Sequence, residues 1–353
     1  MNDRIAAHFE AQAKACEALG SPFTARICRA TISVLDARTE TGKCILGWPG
    51  DPGADALSLR LAGGLHALVL SGADKELAAA YPPNEADDGR LRRTLAATLQ
   101  RYDATLLRSM ASPPQTNEIA RSGMLLTGFL FVARKYDLPL AIREIGSSAG
   151  LNLNFDRFHY RYGPLEWGDE GSPVQLTPEP RGNPPPLGTT LSIANREGCD
   201  IAPVDLTDPA RVLGLRSYIW ADQTMRLERL DAAIRVAKQF PVRVVTADAA
   251  GFVKKGLTER VPGQAFILFH SIMWQYMPAA TRSAIENSMH EAGTEATESS
   301  PLAWLRMEPS APKARHATLS LTSWPGGETR HLADCDYHGR WIKWVAGSGA
   351  VQP

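Results

Sequence analysis

Apolar residues recur at helical spacing through 4–19, 22–37, 57–71, 89–110 and 116–136, which predicts a mainly helical region over 1–135. Loops rich in Gly, Pro and Asp separate these segments, among them GWPGDPGAD (47–55) and YPPNEADDG (81–89). The period changes at LPLAIREIG (138–146), a short run of branched residues that ends in glycine and leads into a new helix. That is the signature of a strand, a turn and a helix. Further short apolar runs follow at TLSIANREGCD (190–200), VRVVTADA (242–249), AFILFHS (265–271) and PLAWLRME (301–308). Helical stretches at 208–239, 251–259 and 278–292 alternate with the later ones, which predicts a parallel sheet. After 315 the pattern becomes a meander: ATLSLTSW, the tight turn PGGE, then TRHLADCDYHGRWIKW. The expected fold class is therefore α/β: a Rossmann-like sheet of parallel strands with a terminal antiparallel meander over 136–353, preceded by a helical N-terminal domain over 1–135. Residues 157–190, dense in Gly, Pro and aromatics, are expected to form an irregular insertion, and loops of that length are more often functional than not.

Composition narrows the function classes. The chain has 353 residues, enough for two units. Lys and Arg balance Asp and Glu at 38 each, so the chain lacks the one-signed field with which nucleic-acid binders neutralise phosphates. The five cysteines are scattered without a C-x-x-C pair, which argues against a disulfide framework or a zinc knuckle. His331 and His338 lack a metal-ligand partner at a useful spacing, and no metal is expected. The first twenty residues read as an amphipathic helix rather than a signal peptide. No window approaches the roughly 18 uninterrupted apolar residues of a membrane span. By elimination a cytoplasmic location and a small-molecule substrate are expected.

The most informative stretch is Glu144-Ile-Gly146-Ser-Ser148-Ala-Gly150-Leu-Asn152. It admits two chemistries. In the first it is a nucleoside-binding turn: Gly146 lets the chain leave the strand sharply, and Gly150 removes a Cβ where backbone approaches a ligand or a neighbouring strand. A helix starting near Leu151 would then offer its free N–H groups and positive end to the ligand. An acid, one residue, then glycines at every second position is the methyltransferase form of this turn, with Ser148 in place of the middle glycine. The GxGxxG spacing of nicotinamide enzymes is absent. In the second chemistry Gly146-Ser147-Ser148-Ala149-Gly150 is the G-x-S-x-G elbow of a serine hydrolase. Ser148 would be the nucleophile, with Asp200 or Asp248 and His270 or His338 completing a triad. Against the elbow stand the charged Arg143 and Glu144 in the strand before it, and the lack of an upstream oxyanion segment.

In the nucleoside reading the second strand ends in Asp200, suited to the ribose hydroxyls, and the third in Asp248, suited to the adenine amino group. Either acid alone could equally cap a helix. His270 lies at the carboxyl end of the fourth strand, where a parallel sheet opens onto its ligand crevice, and can serve as a general base near neutral pH. Trp274 and Tyr276 could wall a substrate pocket. Asn117, Glu118 and Arg121, with Gln115, form a polar cluster beside a helix start and are candidate substrate contacts.

The run EIGSSAGLNLNFDRF, with QTNEIARSG (115–123), GCDIAPVDL (198–206), FHSIMWQYMP (269–278) and HGRWIKW (338–344), resembles a bacterial domain-of-unknown-function family (number 2332). That family is in turn similar to class I S-adenosylmethionine-dependent methyltransferases. The resemblance implies a methyltransferase-type sheet and S-adenosylmethionine as cofactor. It implies that Glu144, Gly146 and Gly150 hold the methionine part, with Ser148 and Asn152 in the same turn, and that Asp200 holds the ribose and Asp248 the adenine. A methyltransferase acting on a small molecule is the expectation; a serine esterase and a non-catalytic nucleoside-binding protein are the alternatives.

Overall fold

The computed structural model describes residues 3–311 and 314–346. Seven helices come first: α1 (Asp3–Ala18), α2 (Pro22–Val34), α3 (Glu40–Leu46), α4 (Leu57–Leu70), α5 (Lys75–Ala78), α6 (Asp88–Arg101) and α7 (Asp103–Met110). Their starts follow local chemistry. Thr39, Asp74 and Asp87 accept hydrogen bonds from backbone N–H groups of the first turns of α3, α5 and α6, and Pro22 opens α2 without wasting a donor. The apolar run 89–110 divides at Tyr102, and Asp103, the first residue of α7, turns its carboxylate to the backbone N–H groups of Glu40 and Thr41 on α3. The helices bury one stripe each, as Ile5, Phe9, Ala13 and Cys16 do on α1.

The chain continues through α8 (Ser122–Tyr136) to β1 (Leu140–Ile145), β2 (His159–Tyr162), β3 (Leu165–Gly168), β4 (Gln175–Leu176), β5 (Glu179–Pro180) and β6 (Ile193–Asp200). Then come α9 (Pro209–Ser217), α10 (Thr224–Gln239), β7 (Arg243–Thr246), α11 (Ala249–Thr258), β8 (Ala265–Ser271) and α12 (Ala279–Thr294). Strands β9 (Leu302–Pro309), β10 (Ala317–Trp324), β11 (Glu328–Cys335) and β12 (Trp341–Trp344) complete it. Contacts separate two units: the residues up to Thr116 with Asp205–Glu228, and Asn117–Val204 with the chain from Arg229 onward. The expected boundary at 135 thus differs from the observed one, because α8 belongs with the sheet and α9 with the helical unit. Periodicity reports that a segment is helical, not which core its apolar stripe joins.

In the sheet unit nine strands run in the order β5-β12-β11-β10-β9-β8-β1-β6-β7. The block β7-β6-β1-β8-β9 is parallel throughout. Numbered along the chain these five strands lie 3-2-1-4-5, the order of a Rossmann-like sheet, with its switch point between β1 and β8. Strands β10, β11 and β12 extend it as the antiparallel meander. On one face Phe129 of α8 stacks on Phe155 at 4.2 Å and meets Phe269 of β8 edge-on at 5.1 Å. A Cβ on Gly128 would lie 2.4 Å from Leu305, so glycine is what lets α8 come down on β9. On the other face Phe252 and Val253 of α11 and Ile285 and Met289 of α12 pack with Ile145, Leu268, Leu302 and Trp304.

The insertion is more regular than expected. It forms a small β3-β2-β4 sheet around the buried Tyr160 and Tyr162, and β5 pairs with β12 at the edge of the main sheet. Among the described residues no helix is long and apolar enough to cross a membrane.

Candidate functional site

The glycine turn leaves the carboxyl end of β1 at the switch point. Gly146 (φ +68°), Ser148 (φ +54°) and Gly150 (φ +70°) are all in the left-handed region. The two glycines adopt it freely, whereas Ser148 is strained by about 1–2 kcal/mol. A Cβ on Gly150 would sit 2.5 Å from the Val244 side chain, so the turn can press on β7 only with glycine there. The segment that follows, Leu151–Arg157, is not a regular helix as expected but two 3₁₀ turns broken by a kink at Asn154. Its first N–H, on Leu151, donates to Asn117 Oδ1 at 3.1 Å.

Glu144 is buried at the end of β1, and its Oε2 has no hydrogen-bond partner. Burial pushes the carboxyl up to about 8; a hydrogen bond from Ser147 pulls down, the Asp200 charge raises it and Arg121 lowers it. Ser148 Oγ, four residues further on, is likewise buried without a partner. Asp200 closes over the turn: its Oδ2 accepts from Ser148 N at 2.9 Å and its Oδ1 from Ala202 N at 3.0 Å. Asp248 caps α11, with Oδ2 accepting from Gly251 N at 3.1 Å.

Asn117, Glu118 and Arg121 gather against the turn, as the sequence expectation had them beside a helix start. Glu118 O accepts from Asn152 Nδ2, and Ser122 Oγ donates to Asn152 Oδ1 at 2.8 Å. Arg121 donates to the carbonyls of Ser271 and Tyr337, tying the end of β8 to the loop before β12. Glu118 also lies within 4 Å of Arg229 and His338.

His270 stands elsewhere. Side chains alternate along a strand, and β1 pairs with β8 so that Glu144 is in register with Phe269. Glu144 and Phe269 therefore face α8, while His270 faces α11 and α12. The register also pairs His270 with Arg306, which brings Glu308, two residues further on, diagonally beside it on the same face. His270 Nδ1 lies 2.7 Å from Glu308 Oε1. Ile272 takes φ +52°, costly for a β-branched residue, and the chain reverses so that the N–H groups of Met273 and Trp274 donate to the same oxygen at 3.1 and 3.3 Å. Trp274 stacks on the imidazole at 5.0 Å. With Nδ1–H donating to the carboxylate, Nε2 is the basic nitrogen, and it is buried without a partner.

A cavity of about 300 Å³ opens here, lined by His270, Trp274, Trp304, Arg306, Glu308 and Glu286 of α12, among others. Trp274 lines this cavity, whereas Tyr276 is 74% exposed and does not. Trp304, Arg306 and Glu308 escaped the sequence reading. The signal was present, since three large or charged side chains two apart on one strand all share a face.

The elbow geometry is half met. Ser148 has the strained backbone of a nucleophile elbow, yet neither His270 nor His338 bonds its hydroxyl, and His270 takes its carboxylate from Glu308 rather than from Asp200 or Asp248.

No curated protein and no solved structure matches the chain. Residues 6–344 match a family described as "Uncharacterized protein conserved in bacteria (DUF2332)", and with nearly its whole length inside that match the chain belongs to this family.

Proposed function

We propose that this protein binds S-adenosylmethionine across the carboxyl ends of β1, β6 and β7 and transfers its methyl group to a small molecule in the cytoplasm. The observation that carries the reading is Glu144, a buried acid with a spare oxygen at the switch point of a 3-2-1-4-5 sheet, set in a turn of left-handed residues. A buried carboxylate with a bare oxygen is costly, and the ligand's ammonium group would meet that oxygen. Asp200 holds the turn by accepting from Ser148 N and Ala202 N at the end of β6, where the ribose hydroxyls would lie. Asp248, which caps α11 just after β7, would be the group to meet the adenine amino group.

When bound, the sulfonium supplies an already activated methyl group. The protein's task is alignment, which supplies about 7–11 kcal/mol in well-oriented reactions. His270, held by Glu308, faces the other side of the sheet from Glu144 and lies apart from this alignment. The test is calorimetric titration with S-adenosylmethionine and S-adenosylhomocysteine. Micromolar binding weakened at least tenfold by Glu144→Gln is expected; silence toward both ligands would end the reading.

The left-handed φ of Ser148 favours a second reading, a serine esterase. Covalent labelling by a fluorophosphonate, abolished by Ser148→Ala, would establish it, and an unlabelled wild-type protein would remove it.

A further inference from the structure

The cavity on the α11/α12 face carries more chemistry than a general base requires. Four of its lining residues hold a buried polar atom with no partner: His270 Nε2, Glu308 Oε2, Trp304 Nε1 and Arg306 Nε. His270 and Trp304 are 0% and 2% exposed. Buried polar atoms are nearly always satisfied, and four in one cavity mark a place built for a ligand.

The four sort into two pairs by chemistry. Trp304 Nε1–H and Arg306 Nε–H can only donate, and one of them belongs to a cation. They lie on one strand two residues apart, with the guanidinium 4.4 Å from the Trp304 ring, and its NH2 group is already spent on Thr322 Oγ1 at 2.7 Å. This pair fits an anionic oxygen group. His270 Nε2, in the tautomer set by Glu308, and Glu308 Oε2 accept; this pair fits a hydroxyl. Trp274 and Trp304, their rings 5.4 Å apart and edge to face, supply the apolar wall.

We propose that this pocket binds a small hydroxycarboxylate with an apolar body. Its carboxylate sits on Arg306 and Trp304, and its hydroxyl donates to His270 Nε2. Glu308 is the positioning residue that holds the imidazole in that tautomer. Binding itself stands on the cavity alone.

The test uses 4-hydroxybenzoate, benzoate and 4-hydroxybenzyl alcohol, measured by ligand-observed NMR on the full chain without S-adenosylmethionine. The hydroxycarboxylate should bind at least tenfold more tightly than either analogue lacking one group. Arg306→Met should remove the preference for 4-hydroxybenzoate over the alcohol, and Glu308→Gln its preference over benzoate. If a variant fails to fold, the three-ligand comparison on the unaltered protein decides. Equal affinities, or no binding of 4-hydroxybenzoate at millimolar concentration, overturn the proposal. Binding here together with calorimetric silence toward S-adenosylmethionine would retain the pocket and discard the transferase.

Discussion

Asp74 in the helical unit and Glu144 in the sheet unit are both almost wholly buried, yet the two are treated in opposite ways. Asp74 accepts from Leu77 N at 3.0 Å and from Thr98 Oγ1 at 2.8 Å, one bond to each oxygen. Asp103 and Asp222, in the same unit, likewise bind two donors each through N–H or hydroxyl groups of neighbouring helices. Glu144 keeps one oxygen bare, and so does Glu308. A saturated buried acid cross-links its surroundings and stabilises them. An acid left bare costs stability, and folds retain such groups mainly where a ligand completes them. The difference divides the molecule into a part whose polar interior serves architecture and a part whose polar interior awaits a partner.

The comparison can be broken by substitution. The largest stability loss should come from Gly150→Ala, which places a Cβ 2.5 Å from Val244 at φ +70° and should cost about 2–4 kcal/mol in urea unfolding. Gly188→Ala, with open space around it, should be neutral and serves as control. Asp74→Ala strands two donors and should cost about 1–3 kcal/mol by the same measurement. An unchanged stability there would dissolve the distinction between the units.

Glu144→Gln should do the reverse. Its folded carboxyl titrates near 8, above the ordinary 4.5, so the stability it contributes is full below about pH 4.5 and is lost as the pH rises through 8. The amide imitates the neutral acid. The variant should match the unaltered protein near pH 5 and melt several degrees higher near pH 9; a lower melting point at pH 9 would mean Glu144 is ionised and paired. The smallest effect is also the most specific to the proposed cofactor. Pairing Glu144 with a ligand ammonium near pH 7 should release up to one proton per site, seen as a calorimetric enthalpy that varies with the ionisation heat of the buffer. Binding without proton release would move the ammonium away from Glu144.

Much of the fold was legible in the residues. The change of apolar period near 138 separates a helical region from a sheet; strands β1, β6, β7 and β8 fall inside the runs that predicted them, and β9 ends one residue past its run. The glycine turn was legible because only glycine adopts left-handed backbone freely and admits the approach to Val244. Asp248 shows the limit. An acid after a strand caps a helix and faces a ligand with the same residue type, and both readings share its position.

What the sequence determined by itself was therefore local: where each element starts, which period it follows and where the chain turns. Backbone sterics and hydrogen-bond caps act over a few residues, and their record is written in adjacent letters. Which polar groups share a site was decided only by the tertiary structure. Pairing β1 with β8 and β8 with β9 in a particular register sends Glu144 to one face and His270 to the other, and sets His270 beside Glu308, 38 positions away. Register arises from the burial of whole faces at once, and no local pattern carries it.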